Sequence, residues 1–225
     1  MDRLRQKNGF ICDMDGVIYH GNRILPGVRE FVDWLQKENK NFLFLTNSNH
    51  STPRELQQKL ARMGLDVDES HFYTSALATA NFLKLQAPGC SAYAVGDHGL
   101  QNALFAAGIT INDVDPDYVV IGESQSFRAL ISPIEMATGK KAYFVGKPNP
   151  LMMRTGLRLL GVHSEDAVMI GDRMDTDIVA GIESGLDTVL VLSGVTSRED
   201  IANYPYSPRL VLNGVGDIPA FAEAE

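Results

Sequence analysis

The sequence predicts an α/β protein: a doubly wound, mostly parallel open sheet (a Rossmann-like core) with a small α/β unit inserted into it. Three observations carry this expectation. Short apolar runs recur along the chain without polar alternation, as strands covered on both faces require. Segments with helical spacing separate them, the βαβ order of a parallel sheet. The runs end in acidic, hydroxyl, amide or ammonium side chains, as strands do where they open on a ligand-binding carboxyl edge.

The first run, Phe10-Ile11-Cys12, leads into Asp13-Met14-Asp15-Gly16-Val17. Two carboxylates one residue apart repel by several kcal/mol at an effective dielectric of about 20, so a folded site must supply a cation or keep one acid protonated. A divalent metal meets that need; an Asx-Gly turn closing a strand is the other reading of these residues taken alone. Tyr19-His20-Gly21-Asn22 is turn-rich, and His20 reads as a loop histidine open to solvent or to a ligand. Pro26 opens a helix whose Val28, Phe31, Val32 and Leu35 share one face. The second buried run, Phe42-Leu43-Phe44-Leu45, ends in Thr46-Asn47-Ser48. A right-handed crossover places Thr46 and Asn47 beside Asp13, unless they serve only as loop and N-cap before the next helix.

That helix, over residues 53–63, stops at Gly64. A short strand over 72–74 and a helix over 76–85 follow, and Pro88-Gly89 marks a change of unit. A second βαβ pattern then begins: strand 91–95, helix 99–107, strand 118–121. Over 124–139 the pattern breaks. Pro133 interrupts a short helical stretch, leaving only one or two turns over 134–138. The inserted unit is therefore placed at 89–139 and the core at 1–88 and 140–225. The core resumes with an apolar strand over 141–145 that delivers Lys147, then a helix over 151–160 and a strand over 167–170. The latter ends in Gly171-Asp172-Arg173-Met174-Asp175-Thr176-Asp177. A helix over 178–185 and strands over 188–192 and 210–212 complete the sheet.

Composition limits the partners. Lys and Arg total 20 against 28 Asp and Glu, a formal charge of -8, so a nucleic acid polymer is excluded as a partner on charge. No apolar stretch approaches the roughly 18 residues of a membrane span, and a charged N-terminus runs straight into the first strand. The expected compartment is the cytoplasm. Cys12 and Cys90 have no zinc or CxxC spacing, and Cys12 is expected to pack as a small buried hydrophobe.

Strand ends thus bring Asp13 with Asp15, Thr46 with Asn47, Lys147, and Asp172 with Asp177 to one crevice. All-oxygen acids without histidine suit Mg²⁺, and hydroxyl, amide and ammonium donors suit a phosphate group, so the expected partner is a small-molecule phosphate ester. In order, Asp13-Met14-Asp15-Gly16-Val17, Thr46-Asn47, Lys147-Pro148 and Gly171-Asp172 through Asp177 resemble the four motifs of the haloacid dehalogenase (HAD) superfamily of phosphohydrolases. Gly-Lys-Pro-Asn-Pro at 146–150 and Leu192-Ser193-Gly194-Val195 are most similar to its NagD-like branch, whose members act on nucleoside monophosphates, sugar phosphates and aryl phosphates. The resemblance implies that Asp13 is the nucleophile forming an aspartyl-phosphate and Asp15 the acid/base. It implies that Thr46, the Asn47 backbone and Lys147 hold the phosphoryl oxygens, with Arg173 near the entrance. Asp13, the Asp15 carbonyl and Asp172 would ligate Mg²⁺, with Asp177 behind them. It also implies a larger cap than residues 89–139 supply, so the cap is expected to be shortened, and an inserted cap offers a surface for a homodimer. Two other readings of the same residues are a receiver-like phosphoacceptor, which keeps its phosphoryl group, and a domain whose activity the short cap impairs.

Overall fold

The computed structural model describes residues 4–123 and 127–223. In chain order its strands are β1 (Gly9–Cys12), β2 (Tyr19–His20), β3 (Arg23–Ile24), β4 (Asn41–Thr46), β5 (Phe72–Thr74), β6 (Ser91–Val95), β7 (Thr110–Ile111), β8 (Tyr118–Ile121), β9 (Ala167–Gly171), β10 (Asp187–Val191) and β11 (Leu210–Leu212). The helices are α1 (Val28–Lys37), α2 (Pro53–Arg62), α3 (Ser75–Gln86), α4 (His98–Ala106), α5 (Phe127–Thr138), α6 (Pro150–Leu160), α7 (Val179–Glu183) and α8 (Asp217–Glu223).

The larger sheet has the order β11-β10-β9-β1-β4-β5 and every pairing in it is parallel. Strand β1 is central, with Phe10 level with both Phe42 and Val168. Its alternation sorts the core into two layers. Phe10, Cys12, Phe42, Phe44, Val168 and Ile170 pack on one face with Phe31, Trp34 and Leu60, while Ile11, Leu43, Leu45 and Met169 pack on the other with Met152 and Met153. Both layers are buried, which is why these strands read as continuous apolar runs. A smaller sheet, β7-β6-β8, is also parallel and packs Ala92 and Val120 against Leu100 and Leu104. The hairpin β2-β3 and strand β7, each strand two residues long, carry too little pattern to be read from sequence.

Two local expectations are overturned. Residues 141–145 form no strand: β1 and β4, the strands nearest Lys147, have partners on both edges, and the segment pairs with neither the β5 edge nor the β8 edge. Tyr143 and Phe144 remain exposed instead, and side chains hold the segment: Glu135 accepts from the Ala142 N–H at 2.9 Å and Asn149 Nδ2 donates to the Phe144 carbonyl at 2.6 Å. Pro133 does not interrupt its helix either; α5 continues through it to Thr138. Residues 124–126 of the break at 124–139 lie outside the described residues.

Helix α2 starts on a full capping box. The Thr52 hydroxyl accepts from the Glu55 N–H at 3.3 Å, and the Glu55 carboxylate accepts from the Thr52 N–H at 2.8 Å. Glu55 also pairs with His98 of α4 at 2.9 Å, and His50 pairs with Asp97, so two acid–histidine contacts join α2 and its leading loop to the N-terminus of α4. Bonding to the Thr52 backbone, then to His98, draws the Glu55 pKa down to about 2. Thr52→Ala is expected to lower stability by about 1 kcal/mol in denaturant titration. A carboxylate with a depressed folded pKa stabilises above its ordinary value of 4.5, and that contribution is lost as pH falls towards about 2. Across that window the wild type should lose more stability than Glu55→Gln.

Candidate active site

Three neighbouring parallel strands deliver the first groups. Asp13 follows β1 and continues its ladder by donating its N–H to the Ile170 carbonyl at 2.9 Å. Thr46 ends β4 on one side of it, and Asp172 follows β9 on the other. The fourth group arrives differently. Lys147 lies on an irregular turn, and its buried ammonium donates to Asp13 Oδ1 at 2.5 Å, lies 2.7 Å from Asp177 Oδ1, and reaches the Leu45 carbonyl at 3.3 Å.

Asp177 owes its position to an irregularity. Instead of a regular helix over 178–185, a single π-helical turn, Met174–Ile178, precedes the short α7. Wide turns of this kind insert a residue and re-aim a side chain. Here the Asp177 carboxylate turns back below the strand end, where Oδ2 accepts from the Arg173 N–H at 3.2 Å and Oδ1 meets Lys147.

Asp172 is held by the loop after β10. Its Oδ2 accepts from the Val195 N–H at 2.7 Å, its carbonyl accepts from the Thr196 N–H at 3.1 Å, and Ser193 Oγ ties the same loop to the Gly16 carbonyl at 2.7 Å. The approach is so close that a Cβ on Gly194 would lie 2.0 Å from Asp172 Oδ2. Sequence reasoning assigned no such supporting role to Ser193, Gly194, Val195 or Thr196. The signal available was that Leu192-Ser193-Gly194-Val195 resembles the NagD-like branch, which marks the loop without saying what it supports.

Three carboxylates therefore face one ammonium. Oxygens of Asp13, Asp172 and Asp177 lie within 4.8 Å of one another. Burial raises the Asp172 pKa, with Asp13 adding to the rise, and burial pushes Asp177 up to about 7 against the pull of Lys147. Burial disfavours the charged form of Lys147, but Asp13 and Asp177 outweigh it and raise its pKa, so the lysine stays protonated. Asp172 Oδ1, fully buried, has no hydrogen-bond partner among the described residues. An orphaned carboxylate oxygen in a cluster with excess negative charge fits a hard divalent cation.

The remaining expected residues lie around this cluster. Thr46 is buried, and its Oγ1 accepts from the Ser48 N–H at 3.1 Å. Asn47 faces Lys147, its side chain bonded to that residue's backbone. Asp15 is exposed, its side chain 70% accessible and 3.6 Å from His20. Arg173 is turned onto Asp175 by a two-pronged contact at 2.8 and 3.0 Å.

The chain is similar to known proteins over most of its length. The profile of the haloacid dehalogenase-like hydrolases matches residues 10–110, and a second HAD-hydrolase-like profile matches 144–218. The chain is 39% identical to a dihydroxyacetone phosphatase of Corynebacterium glutamicum over 93% of its own length and 90% of that protein. It is 38% identical to the ribonucleotide monophosphatase NagD of Escherichia coli K12, over 92% of this chain and 96% of the relative. The solved structure of that E. coli NagD superimposes with a TM-score of 0.87 at 37% identity, covering 94% of this chain and 98% of the other. A 4-nitrophenylphosphatase from Thermotoga maritima gives 0.90 at 29% identity, covering 97% and 98%. The alignment with the Corynebacterium protein runs over 246 positions, more than the 225 residues present here, so that relative contains residues without a counterpart in this chain.

The geometry makes metal affinity depend on the loop behind Asp172. Gly194→Ala is expected to weaken Mg²⁺ binding by about 10- to 100-fold, the usual cost of disturbing a ligand's support, measured as the Mg²⁺ concentration that half-saturates the rise in melting temperature. Because burial raises the Asp172 pKa and a proton on that carboxyl competes with a cation, wild-type Mg²⁺ affinity should weaken as pH falls, with a proton released on binding at the acid end. Calorimetry in two buffers of different ionisation enthalpy should detect the released proton.

Proposed function

Because the chain belongs to the haloacid dehalogenase-like hydrolases and is a NagD-like phosphatase, we propose that it hydrolyses small phosphate monoesters with Mg²⁺, passing the phosphoryl group through Asp13. The observation that carries this reading is Lys147, buried between Asp13 and Asp177 beside the unpartnered oxygen of Asp172.

In this reading Asp13 attacks phosphorus, forming a carboxyl–phosphate bond as the ester P–O bond breaks. Lys147 neutralises charge on the transferring oxygens, and the Thr46 hydroxyl with the Asn47 backbone orients them. Asp15, at the solvent-facing mouth, protonates the leaving oxygen and then takes a proton from the water that cleaves the acyl phosphate. Asp177 holds Lys147 in place, and Arg173 borders the entrance. Asp13, the Asp15 carbonyl and Asp172 would hold Mg²⁺, which when bound screens the repulsion between a carboxylate nucleophile and a phosphoryl group.

The relatives' names, a triose phosphatase, a nucleotidase and an aryl phosphatase, support a small phosphorylated metabolite as substrate. Residues 89–139 are assigned as a shortened cap inserted into a core of 1–88 and 140–225. Support comes from the β7-β6-β8 sheet, which is separate from the larger one and is built from residues 91–121. Caps exclude water and choose the leaving group, so a short one should leave the chemistry intact and relax selectivity.

The test is release of 4-nitrophenol from 4-nitrophenyl phosphate. Hydrolysis should require Mg²⁺, disappear in Asp13→Asn, and slow by about 10²- to 10⁴-fold in Asp15→Asn. Metal-independent turnover, or full activity in Asp13→Asn, would reject the proposed route. A stable phosphoprotein in the wild type would instead favour a phosphoacceptor.

A further inference from the structure

Lys147 performs its task from a backbone that no sheet supports. The residues before it, 139–145, have no regular secondary structure. What fixes Lys147 is one side chain. Asn47 Oδ1 accepts from the Lys147 N–H at 2.7 Å, and Asn47 Nδ2 donates to the Lys147 carbonyl at 3.0 Å. Donor and acceptor of one residue are thus engaged by one amide, the pairing that a neighbouring strand would otherwise supply. Asn47 is anchored in turn, because its own carbonyl accepts from Ser75 Oγ at the start of α3. Gly146 leaves room for the contact: a Cβ there would lie 2.9 Å from Asn47 Oδ1 and 3.1 Å from Cγ.

We infer that the Asn47 side chain is a positioning residue, setting the reach of the Lys147 ammonium to Asp13 and Asp177, rather than a group that contacts the phosphoryl oxygens. The geometry stands by itself, while its consequence for turnover rests on the phosphatase reading above. The mechanical argument is simple. Four carbons separate the ammonium from its Cα, and both carboxylate contacts are short, so a backbone shift of about 1 Å breaks at least one of them. Misplacement on that scale costs up to about 10²-fold in rate.

Two arms test this on the full chain. The first is a double-mutant cycle on Mg²⁺-dependent 4-nitrophenyl phosphate hydrolysis. Asn47→Ala should lower kcat by about 10- to 100-fold, but by less than about 3-fold when added to Lys147→Ala, because an interaction already lost cannot be lost twice. Losses that multiply, or Asn47→Ala with kcat within about 2-fold of wild type, would overturn the inference. The second arm needs no activity: brief labelling with acetic anhydride, read by peptide mass spectrometry. Lys147 should be protected in the wild type and become at least about 10-fold more reactive in Asn47→Ala, while Lys7, buried in its pair with Asp187 at 2.7 Å, stays protected. Unchanged protection of Lys147 overturns the inference. If Lys7 also becomes reactive, the variant has lost its fold, and Gly146→Ala, which crowds the same amide, takes its place in both arms with the same expectations. If the wild type hydrolyses nothing, the phosphatase reading fails and the labelling arm still decides the positioning role.

Discussion

A single buried ammonium holds this site together. Lys147 lies between Asp13 and Asp177, and those acids share their pocket with Asp172. A buried carboxylate without a cation costs several kcal/mol, and removing one partner from such a pair typically costs about 3–5 kcal/mol. The lysine therefore has a structural part in the site, since without it the carboxyl edge of the sheet would carry three uncompensated acids. It does not neutralise them all. The remaining negative charge and the orphaned Asp172 oxygen are what a divalent cation would satisfy.

Much of the surrounding structure aims or restrains these four side chains. The central place of β1 lets β4 and β9 flank it, so Asp13 has a neighbour group on each side. The π-helical turn returns Asp177 towards Lys147, and the Ser193–Thr196 loop presses on Asp172 through backbone donors. With no strand paired to it, the Lys147 backbone is engaged by an asparagine side chain instead. Each device satisfies backbone or carboxylate groups that would otherwise be buried without partners.

The smaller sheet is a separate packing problem. Its inner face closes on α3 and α4 through Ala92, Val120 and Leu100, whereas Tyr93 and Val119 stay exposed on the other face. Strand β8 is left as an edge beside the irregular 140–146 segment, whose aromatic residues are also exposed. Relatives align with this chain over more positions than it has residues. The shortened inserted unit proposed above would account for that surplus.

The fold class, most element positions and the convergence of Asp13, Thr46, Lys147 and Asp172 on one sheet edge were legible in the sequence because they rest on local, periodic causes. Apolar runs buried on both faces declare parallel strands, and acids or hydroxyls placed just past them declare a carboxyl edge; Phe10 to Asp15 and Phe42 to Asn47 are the clearest cases. The sequence determined little where the outcome depended on what a segment pairs with. Residues 141–145 have strand composition but pair with no strand, and Pro133 sits inside a helix that composition alone would end. Tertiary structure alone decided that Asn47 would hold the Lys147 backbone, that a wide turn would bring Asp177 to the ammonium, and that Gly194 would give Asp172 its room. These are contacts between residues distant along the chain, and no periodicity records them, because they exist only once the sheet has brought its strand ends together.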